Sequence, residues 1–598
     1  MAVLSLAGFC SQLSGQSGQP PHPAGPVGSA PAAAEAEPGT VYKATARSVV
    51  VDVVVTDSSG RPVSGLQRGQ FHIKENGLAQ TVSLFEPHVG VQPSPVKPLP
   101  PLPPGEYTNF PIAPVTDSIN VLLLDALNTP LQNEAEVRQA MVKYLKTAPS
   151  NARMAIFTLS SRLRFIQGFT SDPTLLLAAI NGKKNKANPE ESALLDTPQD
   201  AEARERLTDM MSDAGASAAA VAALQQFEAD QISFQNDQRV RITLDAMQQI
   251  ARYLAGIPGR KNLIWFSGSF PVNIFPDASM SDPFSATRSY SDEIHKATDL
   301  LSIGQVAVYP IDARGLMTAP MYDASVSGSH YARNPSAFSA ADSNFSTAQA
   351  TEHGTMDELA RATGGQALYN TNGLKEALAR VIENGSNYYT VAYDPTDKTL
   401  DGKLRKIDIQ VDGKYKLAYR RSYFADDLDG HHTTNAPPVD KSFETAMAPG
   451  LPTASQILFS TKILPLDPQP APGPMLGDNS KLKGPTSRYG IDYAALGSDL
   501  RFTVTPDGLH HGLVTINILA YNSEGEPQNW LSRTLRLDVR PDTYADIMKA
   551  GLRAHAEIDL PRGIVHLRTG IYDAVSTKMG ILDVPLNVRV GAAAAAAK

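Results

Sequence analysis

The sequence predicts a doubly wound α/β domain with a mostly parallel sheet, preceded by a small β module and followed by a β-sandwich. The first observation is an unbroken apolar run, Val121–Leu124, which ends abruptly on Asp125. A strand that helices cover on both faces has such a run, because neither face meets water. The second is the alternation of short apolar runs with helical patterns over residues 117–386, which is typical of parallel sheets. The third is a period-two pattern with turn residues on either side of that region.

Length, charge and cysteine content limit the class of protein. A chain of 598 residues exceeds what one hydrophobic core supports, so several domains are expected. The net charge of -8 argues against a nucleic-acid partner. No apolar run approaches the roughly 20 residues that span a bilayer, so no transmembrane segment is predicted. Cys10 is the only cysteine, which excludes an intrachain disulfide.

Residues 1–44 are predicted to be a disordered leader that starts with a signal-like segment. Met1–Cys10 is apolar but has no basic start, and the residues up to Pro38 are rich in Gln, Ser, Pro and Ala. We interpret this as a signal peptide whose basic region is missing, with an ordinary disordered tail as the alternative. The expected location is therefore secreted, periplasmic or on the outer cell surface.

Residues 45–90 are predicted to form the small β module. Asn76-Gly77 lies between two strand-like runs, 71–75 and 80–85, and this dipeptide is a strong signal for a hairpin turn. Residues 91–116 are rich in proline, so we expect an extended linker before the α/β domain.

The α/β domain is predicted to cover residues 117–386. Its strands are Val121–Leu124, Arg153–Thr158, Asn262–Phe266 and Val306–Tyr309, with Arg164–Phe169 as the hairpin partner of the second. Its helices are 137–145, 174–180, 216–255, 292–303, 356–363 and 374–383. Residues 181–235 and 316–354 are interpreted as insertions. The 216–255 helix exceeds an ordinary length, so we expect its first half to project beyond the sheet or to pack on a partner.

The remainder of the chain is predicted to be β-rich. Residues 387–426 form a β extension with period-two strands, and residues 427–485 form a linker. Residues 486–591 have regularly spaced short strands with turn signals, which predicts a sandwich of the immunoglobulin or fibronectin kind. Residues 592–598 are an uninformative tail.

Several motifs together resemble a known family. They are the segments 49–66, 71–77, 121–129, 259–268, 308–315 and 359–365. This combination resembles the VWFA-related proteins abundant in Acidobacteria, which are built on a von Willebrand factor type A domain. The resemblance implies a Rossmann-like, type A fold. It also implies a secreted or envelope protein with a domain class used mostly for protein binding, and we expect no enzymatic activity.

The resemblance further implies a Mg²⁺ site at the carboxyl end of the first strand, in an Asp-x-Ser-x-Ser motif. Asp125 and Thr129 match the first and last positions, but Leu127 stands at the middle serine and Gly268 where a second aspartate is expected. The candidate ligands of this degenerate site are Asp125, Asn128, Thr129, Ser267 and Asp312. No cofactor is expected, although Mg²⁺, Mn²⁺ or Ca²⁺ remains possible. The alternative is that Asp125 caps the following turn.

The preferred function is non-enzymatic binding of a protein or glycan at the carboxyl ends of the parallel strands. The residues predicted to form this partner-binding rim are Asp125, Asn128, Ser269 and Arg314. An alternative is a structural component of an envelope assembly that self-associates through its β modules and long helix. A hydrolase is the weakest candidate, because Gly-x-Ser-x-Gly is not formed around Ser267 and Ser269.

Overall fold

The computed structural model describes residues 48–88, 102–110, 119–129, 131–146, 153–182, 198–257, 259–268, 270, 290–312, 314, 319, 322, 335–370, 373–399, 401–425, 441–466, 475–479, 482, 484–504 and 508–589. The predicted leader, the predicted tail and Ser269 lie outside these residues. The described residues form a mixed α/β protein with several sheets. Among them, none of the helices combines the length and the hydropathy that crossing a membrane requires.

Strands predominate towards both ends of the described chain, and most of the helices lie in its middle. The strands are β1 (Val49–Thr56), β2 (Phe71–Glu75), β3 (Leu78–Gln80), β4 (Val82–His88), β5 (Glu106–Thr108), β6 (Ile119–Asp125), β7 (Arg153–Leu159), β8 (Leu163–Thr170), β9 (Lys261–Ser267), β10 (Val306–Asp312), β11 (Tyr388–Tyr393), β12 (Leu404–Val411), β13 (Lys416–Ala418), β14 (Ser422–Phe424), β15 (Phe459–Pro465), β16 (Thr486–Ala495), β17 (Thr503–Val504), β18 (His510–Tyr521), β19 (Pro527–Val539), β20 (Leu552–Pro561), β21 (Gly563–Asp573) and β22 (Lys578–Val588). The helices are α1 (Leu131–Leu145), α2 (Pro173–Asn181), α3 (Pro198–Asp213), α4 (Ala218–Leu254), α5 (Ser291–Ile303), α6 (Pro335–Thr363), α7 (Leu374–Gly385), α8 (Lys441–Ala446) and α9 (Pro541–Ala550).

The central sheet has the strand order β10-β9-β6-β7-β8. Its first four strands are parallel, and β8 is an antiparallel edge strand beside β7. Strand β6 is buried on both faces, which explains its apolar run. Val121 and Leu123 belong to the core that α4, α5 and α6 cover, whereas Leu122 belongs to the core that α1, α2 and α7 cover.

The order of the strands places a topological switch point at β6. From β6 the chain adds β7 on one side of the sheet, and it later returns to add β9 on the other side. Loops that leave the carboxyl ends of two such neighbouring strands diverge, and the crevice between them is where open α/β sheets bind ligands. We use the name rim for the ends of β6, β9 and β10 and the loops that follow them.

The two predicted β segments on either side of the α/β domain form one β domain. Its sheets have the orders β13-β1-β11-β4 and β14-β12-β2-β3, so each sheet combines strands from residues 45–90 and 387–426. Val51, Phe71, Val391 and Ile409 share its core. The core is complete only when both segments contribute their strands. The α/β domain is therefore inserted between the two halves of this β domain.

The Asn76-Gly77 turn joins β2 to β3. Asn76 and Gly77 have φ angles of 47° and 86°, as the predicted turn requires. The second arm of the hairpin differs from the predicted 80–85 strand. It is only Leu78–Gln80, because the chain then crosses to the other sheet as β4.

The sandwich also begins earlier than predicted. Its sheets are β20-β16-β15-β5 and a second one that contains β17, β18, β19, β21 and β22. Strand β15 comes from the predicted linker 427–485, and β5 comes from the predicted linker 91–116. Tyr107 on β5 pairs with Thr461 on β15. Proline-rich composition indicates extended chain, and an extended chain can also serve as an edge strand.

Both predicted insertions contain helices. Residues 181–235 include α3 and the first part of α4, and α6 begins at Pro335 inside the 316–354 insertion. The start predicted for the last of these helices, near 356, is wrong because Thr355 does not cap. Its hydroxyl bonds back to the Thr351 carbonyl one turn earlier, as a mid-helix threonine does. Helix α4 begins after Ser217, whose hydroxyl accepts the Ala220 N–H at 3.2 Å.

Candidate functional site

The loop after β6 turns sharply over the end of β7. The N–H groups of Ala126 and Leu127 both donate to the Leu159 carbonyl, at 2.8 and 3.0 Å. This turn buries the Leu127 side chain completely in the core beneath α4. Leucine at this position is therefore a packing residue. The Asn128 N–H donates to Asp125 Oδ1 at 2.9 Å, so Asp125 stabilises the turn that follows it, as the capping alternative expected.

The other oxygen of Asp125 accepts three hydrogen bonds. Asn128 Nδ2 donates to Asp125 Oδ2 at 2.8 Å, Trp265 Nε1 at 2.9 Å and Ser267 Oγ at 2.8 Å. We call these four residues the Asp125 hub. Burial raises the pKa of Asp125, and the hydrogen bonds from Asn128, Ser267 and Trp265 oppose that rise.

Asn128 connects the hub to the long helix α4. Its Oδ1 accepts from Arg239 Nε at 3.1 Å, and its Nδ2 also donates to Thr243 Oγ1 at 2.9 Å. Two residues before Arg239, Asp237 Oδ1 accepts from the Tyr290 hydroxyl at 2.8 Å at the start of α5. These bonds fix the position of α4 relative to the β6 loop and to α5.

Thr129 connects the β6 loop directly to the end of β9. Its Oγ1 accepts the Gly268 N–H at 2.9 Å. The two loops of the switch point are thus held together twice, by the hub and by this bond. Ser269, the next residue of the predicted rim, lies outside the described residues.

Asp312 and Arg314 form a separate cluster at the end of β10. Asp312 pairs in register with Ser267, so β9 lies between it and Asp125 and separates the two by roughly 10 Å, two strand spacings. The Arg314 guanidinium donates to both Asp312 oxygens at 3.0 and 2.9 Å, and also to Glu352 Oε2 of α6 at 2.5 Å. The structure therefore does not bring Asp312 to the hub.

The candidate ligands do not fit a hydrated divalent cation. Mg²⁺ and Ca²⁺ need several oxygen atoms with available lone pairs. In the hub the lone pairs of Asp125 accept N–H and O–H donors, and one of these donors, the Trp265 indole, cannot be a ligand. Asp312 is engaged with Arg314. Within the part of the chain that the structure describes, no three His, Cys, Asp or Glu residues are grouped to hold a metal ion.

The hub residues lie beneath the protein surface. The exposed fraction is 2% for Asp125 and zero for Asn128 and Ser267. Direct contact of Asp125 and Asn128 with a partner stays a prediction. In this geometry the two residues position the loop that follows β6. Sequence reasoning missed Trp265 as a donor. It also missed Arg239 and Thr243, although two polar residues four apart on the apolar half of α4 were an available signal.

Comparison with family models and with curated proteins gives no match. Among solved structures, the chain is similar to an aerotolerance-related membrane protein from Bacteroides fragilis NCTC 9343, with a TM-score of 0.22 and 11% identity over 44% of this chain and 98% of that chain. It is similar to a von Willebrand factor type A protein from Catenulispora acidiphila, with a TM-score of 0.21 and 7% identity over 54% and 70% of the two chains. It is also similar to the open pilus adhesin SpaC from Lactobacillus rhamnosus GG, with a TM-score of 0.24 and 7% identity over 90% and 58%. Similarities at this level carry no functional argument.

Proposed function

We propose that this chain is a secreted or envelope-associated, non-enzymatic binding protein. Its type A-like α/β domain would present the rim loops to a protein or glycan partner. The support comes from topology, because the switch point between β6 and β9 is the usual ligand crevice of an open α/β sheet. The β domain and the sandwich flank this domain.

The observation that carries the proposal is the Asp125 hub at that switch point. It joins the β6 loop, the end of β9 and helix α4 through buried hydrogen bonds. A binding surface gains affinity when its loops are already ordered, since less conformational entropy is lost on association. The hub orders the base of the loops that would contact a partner.

Catalysis has no comparable support. Ser267, the serine that the sequence offers as a nucleophile, donates its hydroxyl proton to Asp125 Oδ2 and is fully buried. A nucleophilic serine needs an open approach for the substrate, and the burial of Ser267 leaves none. Ser267 instead completes the hub.

The test compares two buried aspartates. Asp125→Asn turns an acceptor into an amide whose N–H₂ faces the hub donors, so the rim loops lose their anchor. Asp573→Asn is the matched control, since Asp573 is also buried and accepts from the Arg501 and Val575 N–H groups and from Ser576, but lies in the sandwich. The probes are a bacterial surface-glycan array and an extract of envelope proteins.

We expect Asp125→Asn to reduce capture at least tenfold and Asp573→Asn to leave it unchanged. Equal capture by the wild type and Asp125→Asn would contradict a working rim. Equal losses in two variants that both remain folded would also contradict it, because the loss would then not be specific to the rim.

The second candidate is a structural component of an envelope assembly. It is favoured by large apolar side chains on α3 and α4 that are exposed to solvent. Phe227 and Phe234 lie two turns apart on α4 with exposed fractions of 65% and 62%, and Met210 on α3 has 67%. Exposed apolar patches of this kind mark interaction surfaces.

Light scattering tests this candidate. The double variant Phe227→Ser/Phe234→Ser should convert an oligomer to monomer, whereas Ile564→Ser, which removes an equally exposed apolar residue of the sandwich, should not. A wild type that is monomeric at the highest soluble concentration would eliminate the scaffold candidate.

A further inference from the structure

The Asp125 hub places donor groups where a cation site would need ligands. A carboxylate at a strand end, with a hydroxyl from the next strand and an amide from its own loop, contains the oxygen atoms that a hard cation uses. In this structure those groups contact the carboxylate directly. Ser267 Oγ and Asn128 Nδ2 both lie 2.8 Å from Asp125 Oδ2, and each donates a hydrogen bond to it.

Trp265 makes this arrangement difficult to reverse. Its indole nitrogen has no lone pair for a metal, and its N–H points at Asp125 Oδ2 from 2.9 Å. A cation at that oxygen would have to displace the indole. The ring is 2% exposed and packs edge-on against Phe270 at a centroid distance of 4.5 Å. Displacing it would open a cavity in the core beneath the rim.

The orientation of the Asn128 amide is fixed from the other side. Arg239 Nε can only donate, and it contacts Asn128 Oδ1 at 3.1 Å. The amide oxygen, which is the ligating atom of an asparagine, is therefore held on α4. The amide nitrogen faces Asp125 and Thr243. For Asn128 to become a cation ligand, its amide would have to rotate, and the Arg239 guanidinium would lose its acceptor.

We infer that the donors of the Asp125 hub replace a divalent cation, so that the rim is held in place without a metal ion. Trp265, Ser267 and Asn128 supply the interactions that stabilise the buried carboxylate. The hydrogen bonds of Asn128 with Arg239 and Thr243 also fix the position of helix α4. The inference deepens the proposed function and rests on it for one consequence: partner capture should be unaffected by chelators.

The two tryptophans of the chain allow a direct test on the whole protein. The variant Trp530→Phe removes the tryptophan of the sandwich, which is 40% exposed, and leaves Trp265 as the only indole emitter. This variant is titrated with Mg²⁺, Mn²⁺ and Ca²⁺ to millimolar concentrations, and both the emission and the melting temperature are recorded. A cation at Asp125 would lie beside the indole and alter its emission, and it would raise the melting temperature by mass action.

We expect no saturable change in emission and no rise in melting temperature with any of the three ions. A saturable response that disappears when Asp125→Asn is added would overturn the inference. If Asp125→Asn does not fold, Ser267→Ala decides, because it leaves the carboxylate in place and removes one donor. The hub predicts a lower melting temperature for Ser267→Ala, whereas an unchanged melting temperature would contradict it.

These results are separable from the proposed function. A metal response with normal capture would overturn the inference and leave the binding proposal standing. No capture of glycan or envelope protein, together with a metal-independent hub, would overturn the binding proposal alone.

Discussion

The two ends of the central sheet use buried charge in opposite ways. At the carboxyl end, one buried carboxylate, Asp125, is stabilised by neutral donors from the adjacent loop and strand. At the amino end, two buried basic residues, Arg260 and Lys261, lie at the start of strand β9 near Asp52 of the β domain. The first arrangement orders loops within the α/β domain. The second lies where the α/β domain contacts the β domain. Strand β9 therefore contributes to the rim at its carboxyl end and to a contact between domains at its amino end.

The amino-end contact links residues of both domains. Asp52 of β1 accepts from Thr390 Oγ1 at 2.7 Å within the β domain and from Gln305 Nε2 of the α/β domain at 3.2 Å. The Arg260 backbone N–H donates to the Tyr388 hydroxyl of β11, across the two domains, while its guanidinium donates to the Gly364 carbonyl at 2.7 Å within the α/β domain. Because most of these groups are buried, removing one should be costly.

The largest effect is expected at the amino end. Asp52→Ala removes the buried acceptor of the Thr390 and Gln305 hydrogen bonds, and it should lower the free energy of unfolding by about 3–6 kcal/mol, because two hydrogen bonds to a charged group are lost at about 1.5–3 kcal/mol each. Asp408→Ala, on the exposed face of β12, is the control and should change it by less than about 0.5 kcal/mol. Calorimetric unfolding of both variants checks this. A cost at Asp52 no larger than the control would show that the contact does not hold the domains together.

A smaller effect is expected at the carboxyl end. Trp265→Phe keeps most of the apolar volume but removes one donor from the buried Asp125 carboxylate, which should cost about 1–3 kcal/mol. Trp530→Phe is the matched control and removes an indole at a partly exposed position. Denaturant unfolding followed by circular dichroism measures both. Identical midpoints for the two variants would indicate that the indole bond contributes nothing.

The third expected effect is a pH dependence from the amino end, at neutral to alkaline pH. Burial lowers the pKa of Lys261 to about 7, with Asp52 opposing the change. Between about 7 and the ordinary value of 10.5, the unfolded chain therefore binds a proton that the folded chain does not. Stability should rise with pH in this window, by at most about 1.4 kcal/mol for one pH unit, and the dependence should vanish below it.

Lys261→Met should remove this component of the pH dependence, and Lys462→Met, which removes an exposed lysine of β15, should retain it. The measurement is the denaturation midpoint of the three proteins across the window. The same pH slope in Lys261→Met and the wild type would contradict a neutral buried lysine.

Much of the central sheet could be predicted because its signals are local. The apolar run of β6 predicted burial on both faces, and the hairpin of β7 with β8 followed from their short connection. Helix α4 was predicted to within two residues at each end, since Ser217 and Gly256 mark its limits. Each of these features depends on residues close together in the chain.

The rest depended on distant pairing that no local pattern contains. The β domain joins Val51 to Val391 across the whole inserted domain, and β5 pairs with β15 across more than 350 residues. The hub is similar, because Trp265 lies 140 residues from Asp125. Leu127 and Gly268 led to the prediction of a degenerate cation site, and only the fold shows which donors surround Asp125.

The most direct test of the central claim is hydrogen exchange of the two indole N–H groups, observed by NMR in a ¹⁵N-tryptophan-labelled protein. Trp530 is partly exposed and serves as the internal reference, whereas Trp265 is buried and donates to Asp125. We predict that the Trp265 indole proton exchanges only when the domain opens and that the Trp530 proton exchanges rapidly. Rapid exchange of both protons would show that the Trp265 bond to Asp125 does not persist in solution, and the hub would not be the anchor of the rim.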